Sequence, residues 1–442
     1  MRPTVRDLSL LVLLCLAGAV YAEEPIRLKE SFAPDYEYRV SSRVELTGQL
    51  TLPPTDKDKK PTTLPIVGTS AIDYDERVLS VKDGIVDKTV RNYKRMDFDR
   101  KIGDQPQKTT LRPEVRRLVV LRNKNTAVPF CPEGPLLWAE IDLVRTDVFT
   151  PALAGLLPEK AVNPGDHWTA TVAAVQALTD LERIDEGQIE CKFEGLAIVE
   201  KRRHARVSLS GTVKGTNEDG PNRQKFDGYF YFDLESNHLS YLSLHGISSL
   251  LDKDGNEAGR VEGKFVVTRQ ANTTAKELSA TALKGVSLEP DADNTLLLYD
   301  NPELGVRFLY PRRWRLAGGV GRRIQLDAKD GSGLIVALDP PANVPTAVQF
   351  LRESRDFFEK QKAKVLRFDE PVRLKTTVGS LDHFTVEVEI KGQRQLMDYY
   401  VTAQKDGGAT LAASLPVGAE GAAMQKEIER MARSLTVTKA IK

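Results

Sequence analysis

The chain is short of cysteine and histidine and has only one long apolar run, and each shortage removes a class of protein. Of 442 residues, three are cysteine and five are histidine. Cys15, Cys131 and Cys191 make no CxxC, and His167, His204, His238, His245 and His383 make no HxxxH. The local spacings that zinc sites use are therefore missing. No serine stands in a G-x-S-x-G elbow. Gly318-Gly319-Val320-Gly321 lacks both the Lys-Ser/Thr ending and the following helix of a phosphate loop, and reads as a turn. Charge of one sign is lacking too, since 63 Lys and Arg face 62 Asp and Glu. A balanced chain has no general surplus of cations for nucleic-acid phosphates, and no polybasic membrane anchor.

The one apolar run is an address. Arg2 and Arg6 precede Leu8 to Ala19, which is apolar apart from Ser9, and Val20-Tyr21-Ala22 sets small residues before Glu23-Glu24-Pro25. This pattern predicts a secretory signal over residues 1–22. The run is shorter than the roughly 20 residues of a membrane span. The expectation is a secreted or periplasmic chain starting at Glu23, with no transmembrane segment. Arg2, Arg6 and Asp7 leave with the leader, which brings the remainder to neutrality. Cys15 leaves as well. Cys131 and Cys191, in an oxidising compartment, form a disulfide candidate, with two separate buried thiols as the alternative.

What is abundant is alternation. Tyr36 to Val40 and Val44 to Leu50 alternate apolar and polar, as do runs at 78–86, 117–122, 136–144, 187–199, 205–213, 226–234, 239–251 and 259–268. Period two means antiparallel sheet with one wet face. Residues 23–272 are expected to be a β-rich region of half-barrel or sandwich type, as one domain or as two, 23–147 and 148–272. The tract 53–61, charged and flanked by prolines, reads as an exposed connection. Lys-Asp-Gly occurs at 82–84, 253–255, 329–331 and 405–407. Asp-Gly accepts positive φ, so each predicts a hairpin tip. Residues 273–297 lose the apolar period and read as a linker.

From 298 to 442 the texture is mixed. Residues 345–362 and 420–433 have helical apolar stripes, the first through Ala347, Leu351 and Phe358, the second through Met424, Ile428 and Met431. Phe384, Val386, Val388 and Ile390 alternate strictly. Gly305-Val306-Arg307-Phe308-Leu309-Tyr310-Pro311-Arg312-Arg313-Trp314, with the closing helix running into Arg433-Ser434-Leu435, resembles the PsbP-like domains. That resemblance implies an α/β/α sandwich around an antiparallel sheet, and no one activity. Pro164-Gly165-Asp166-His167-Trp168, followed by strands to Thr268, resembles β-rich domains of secreted bacterial proteins of unknown function. The expected fold class is thus α+β, in several domains.

Few residues carry chemistry. His383 beside Asp382 suggests a base with its carboxylate, yet adjacent strand residues point to opposite faces, which favours a polar strand start. Asp252 to Glu257 departs from calcium-loop spacing. Asp73, Asp75, Glu76, Asp97 and Asp99 read as a wet sheet face rather than as an oxygen-rich cation site. Lys201 to His204 reads as a solvated turn. Arg312, Arg313 and Arg315 around Trp314, with Arg322 and Arg323 nearby, are the binding-site candidates, because guanidinium groups match carboxylate and phosphate. The alternative is a solvated rim above a buried Trp314. The function expected is non-catalytic binding or scaffolding at the cell envelope, with an envelope protein or acidic polymer as partner and no cofactor. A carrier of a hydrophobic ligand, or an enzyme with a site assembled from distant residues, are the alternatives.

Overall fold

The computed structural model describes residues 24–52, 61–123, 126–217 and 220–441. The expected leader, 1–22, and the body of the connection at 53–60 lie outside them. The first thirteen strands are β1 (Glu37–Leu52), β2 (Thr62–Lys82), β3 (Ile85–Ile102), β4 (Gln105–Thr110), β5 (Arg117–Asn123), β6 (Thr126–Phe130), β7 (Leu136–Leu137), β8 (His167–Thr169), β9 (Arg183–Val199), β10 (Arg202–Asn217), β11 (Gly220–Asp233), β12 (His238–Leu251) and β13 (Glu257–Ala271). All but β7 join one antiparallel sheet in the order β6-β5-β3-β2-β1-β13-β12-β11-β10-β9-β8, with β4 on β3. β6 and β8 end the order unpaired with each other, so the sheet is open rather than a closed barrel.

Alternation gives this sheet one apolar face. Tyr38 and Val40 of β1, Ile72 and Tyr74 of β2, Val207 of β10 and Phe230 of β11 are buried in a single core. Two short helices, α1 (Trp138–Arg145) and α2 (Val172–Thr179), and the 3-10 turn Thr150–Leu156 complete it through Ile141, Val144, Leu153, Leu156, Ala174 and Val175. Most of the run at 136–144, expected as a strand, is therefore helix. Ile141 and Val144 are three apart and face the core together, while the Glu140 carboxylate accepts the Leu137 N–H at 2.8 Å and closes the first turn. Thr171 caps α2 by accepting the Ala174 N–H at 3.3 Å.

The segment 273–297 is not a free tether. Ala275, Leu278 and Leu283 pack on Val90, Val119 and Phe130. The Arg77 guanidinium donates to the Leu278 carbonyl at 2.7 Å. Isolated apolar residues without periodicity found a surface to cover, and sequence pattern alone does not reveal such docking.

The remaining strands are β14 (Leu297–Asn301), β15 (Val306–Tyr310), β16 (Trp314–Val320), β17 (Arg323–Ala328), β18 (Gly333–Asp339), β19 (Lys364–Phe368), β20 (Val372–Leu374), β21 (Ser380–Ile390), β22 (Gln393–Gln404), β23 (Gly407–Pro416) and β24 (Thr436–Val437). β24-β15-β14-β7 is a small sheet in which β7 runs parallel to β14 and ties the first region to the last. β16-β17-β18-β23-β22-β21-β19, with β20 on β21, is an antiparallel sheet of eight. Helix α3 (Ala347–Lys360) packs on the face of this sheet that carries Phe384, Tyr399 and Val401. Helix α4 (Ala419–Ser434) packs through Met424, Ile428 and Met431 in the cluster that holds the opposite-facing Tyr400, Leu411 and Ala413. A reciprocal Thr346–Gln349 capping box starts α3, as its sequence allows. All four Lys-Asp-Gly tripeptides sit at hairpin tips. Only Asp83-Gly84 takes positive φ at both positions, 51° and 78°.

Candidate anion-binding cleft

The three residues after Tyr310 are set by a tight turn. The Trp314 N–H donates to the Pro311 carbonyl at 3.1 Å, which makes Arg312 and Arg313 the two central residues. Trp314 is fully buried and anchors the turn, its indole N–H reaching Glu427 at 3.2 Å. The two arginines diverge. Arg313 turns to α4 and stands 3.7 Å from Glu427 and 3.8 Å from Glu420. Arg312 turns the other way, donating to the Thr295 carbonyl at 2.9 Å and to the Pro129 carbonyl.

Helix α1 supplies the facing wall. Its start is fixed because Arg112 grips Glu140 with two nearly parallel bonds of 2.7 and 2.8 Å, and Glu140 is buried. Trp138 and Arg145, seven residues apart, share a face. The Arg145 guanidinium lies 5.8 Å from the Trp138 ring and that of Arg315 lies 5.9 Å from it. The result is a cleft of about 360 Å³ bounded by Trp138, Ile141, Arg145, Arg312, Arg313, Arg315 and the hairpin Ala328–Asp330.

Five cationic side chains and one carboxylate line this cleft. Asp330 is engaged by the Ser332 N–H, which holds its carboxyl below the usual range. Arg312 is the unusual member. Burial, and then the nearby charge of Arg145, push its pKa down to about 10. Its hydrogen bonds go to carbonyl oxygens, and among the described residues no carboxylate pairs with it. An arginine at that value is still charged at neutral pH, so the wall carries a partly desolvated cation without a counter-ion. An anion entering the cleft meets fixed guanidinium donors, an arrangement suited to binding rather than to proton transfer.

The expected cluster of five is thus corrected to three. Arg322 and Arg323 sit at the far end of β16, where Val320 pairs with Arg323. They lie beside Asp339, whose carboxyl burial raises while both arginines lower it. About five residues of strand, roughly 17 Å, separate them from Arg315. Arg145 and Trp138 were missed because their segment alternates like a strand. Their spacing of seven was the available signal.

Other expectations resolve as follows. Cys131 and Cys191 are free and buried, so the candidate disulfide is not formed. Cys131 follows β6 at one end of the sheet order, whereas Cys191 lies on β9 near the other, which explains the separation. Burial pushes both thiols up to about 12. Glu76 is no wet-face carboxylate. It is fully buried, bonded to Arg91 at 2.8 Å and to the Tyr38 hydroxyl at 2.5 Å. Asp75 is buried under Arg39 and Lys94. Asp382 pairs with Arg373, away from His383 as adjacent strand positions require. His383 instead bonds Asp398 at 2.7 Å and stacks on Tyr400. Arg202 in the basic turn pairs with Asp233 and Glu235. His245 lies between Asp227 and Glu262 at 3.4 and 3.0 Å. Among the described residues, no group of three potential metal ligands converges, and no helix is long and apolar enough to cross a membrane.

No family model matches the chain, and no curated protein sequence does. Solved structures give distant likenesses. A lipovitellin structure, described as showing lipid-protein interactions, is similar over 56% of this chain and 27% of its own, at 9% identity and a TM-score of 0.32. The chain thus spans about a quarter of lipovitellin. Cyanobacterial PsbP from Synechocystis sp. PCC 6803 is similar over 32% of this chain and 92% of its own, at 14% identity and a TM-score of 0.26. DynF of Micromonospora chersina is similar over 56% of this chain and 89% of its own, at 8% identity and a TM-score of 0.14.

Proposed function

We propose that this protein is a non-catalytic binding protein of the cell envelope, secreted or periplasmic, that captures an anionic group in the cleft between α1 and the Pro311–Trp314 turn. The PsbP-like motif of residues 305–314 supplies that turn, and a PsbP-like C-terminal part is included in the reading. One observation carries it: Arg312 is partly buried on the cleft wall, close to Arg145, and among the described residues no carboxylate pairs with it. Desolvating a guanidinium without a counter-ion is costly, and a bound carboxylate or phosphate offsets that cost. The sequence supports the envelope setting through the leader pattern at 1–22.

Calorimetric titration of the mature chain with inorganic phosphate at low salt tests this. Arg312→Gln is expected to weaken binding about 10- to 100-fold, the range for a hydrogen bond to a charged group. Arg323→Gln carries the same charge change outside the cleft and is expected to leave affinity unaltered. Equal losses in the two variants would reduce the effect to general charge, and absence of phosphate binding would remove the proposal.

A further inference from the structure

We propose that the anionic group bound in the cleft is the head of a single-chain amphiphile whose acyl chain lies in an apolar trough next to it. This rests on the anion-binding reading above and names the ligand class for it. The trough occupies the apolar face of the large sheet where the helices stop. Val44 and Leu46 of β1, Phe265 of β13 and Phe226 of β11 line it, with Val148 and Leu178 from the helical layer. Its volume is about 230 Å³.

The floor is low because two glycines face each other there. Gly246 of β12 pairs with Gly263 of β13. A Cβ at Gly246 would stand 3.1 Å from the Phe226 ring, and one at Gly263 would stand 3.2 Å from the Leu46 Cβ. The large side chains lie against bare backbone, and any larger residue at these two positions would lift them. Two of the polar groups in the lining are already satisfied. The Gln224 amide donates to the Thr179 carbonyl at 2.9 Å, and the Ser248 hydroxyl to Asn222 at 3.0 Å. Thr146 and Lys264 also border the trough, but most of its lining is apolar and suits methylene groups.

Charge decides the occupant. Arg145 lines the cleft, while Thr146 and Val148 line the trough. Arg145 and Thr146 are consecutive, so the two linings meet at one peptide unit, with Cα atoms about 3.8 Å apart. A ligand anionic at one end and aliphatic along its length complements both. Together the two volumes fall within the roughly 300–1,000 Å³ of small-molecule sites.

Calorimetry on the mature chain with octyl phosphate, inorganic phosphate and 1-octanol tests this. Each buried methylene is worth about a fourfold gain, so octyl phosphate is expected to bind at least about 100-fold more tightly than inorganic phosphate. Val261→Trp, which fills the trough, is expected to abolish that gain and leave phosphate binding intact. Ser248→Phe, from the neighbouring strand, replaces it if the tryptophan variant does not fold. Phosphate binding without an alkyl gain would overturn this inference and leave the anion reading standing. Octanol binding as tightly as octyl phosphate would overturn the amphiphile. Failure of every phosphate to bind would remove the anion reading first, and this inference with it.

Discussion

Arg91 shows how this protein treats single charges. It is nearly inaccessible, and its guanidinium bridges Glu76 and Asp147 at 2.8 Å each. Tyr74 and Phe149 rings face it, and Arg122, Tyr38 and Tyr93 are the other ionisable neighbours. Two carboxylates share this bridging cation, and Asp147 yields. Burial pushes its pKa up to about 6, with the Arg91 charge pulling the other way. An unperturbed aspartate titrates near 3.9. Between about pH 4 and pH 6 the folded state therefore keeps a proton that the unfolded state has released. Asp147 stabilises the fold below that window, and its contribution is lost as pH rises through about 6. At 1.36 kcal/mol per unit, the loss is up to about 3 kcal/mol. Urea unfolding from pH 4 to 7, for wild type and Asp147→Asn, isolates this. The stability difference is expected to shift against wild type as pH rises, and a constant difference would contradict the reading.

Helix α1 has the largest consequence for the site of any single element. It carries Trp138 and Arg145, and its register depends on Glu140. Glu140→Gln removes the charge that Arg112 grips and is expected to cost about 2–3 kcal/mol in urea unfolding. Phosphate affinity in the cleft should fall with it, because Trp138 and Arg145 lose their fixed base. Unchanged stability would mean that the clamp does not hold the helix. This same element was the least legible in the sequence. Ala139 to Leu143 runs apolar, polar, apolar, polar, apolar as a strand would, and eight residues are too few for a helical stripe to outweigh that pattern. Helices α3 and α4, at 14 and 16 residues, show their stripes plainly and fall within two residues of the expected bounds. The four hairpins were legible because Asp-Gly has a local conformational reason to turn. The docking of 273–297 and the burial of Glu76 were not legible, since both depend on partners far along the chain.

At the scale of the whole molecule, the cleft exists where the first region meets the last. The Arg312 guanidinium reaches back to the Pro129 carbonyl in β6, and β7 pairs with β14. Sequence proximity suggested five arginines together. The sheet divided them, because β16 carries Arg322 and Arg323 to its far end while the turn keeps Arg312, Arg313 and Arg315 against α1. The central claim is that this junction holds an anion. Diffraction from crystals soaked in selenate at the selenium edge tests it most directly. The account predicts an anomalous peak within hydrogen-bonding distance of the Arg312 and Arg145 guanidinium groups, absent in crystals of Arg312→Gln. Selenate found only elsewhere on the surface, with an open cleft carrying no peak, would contradict it.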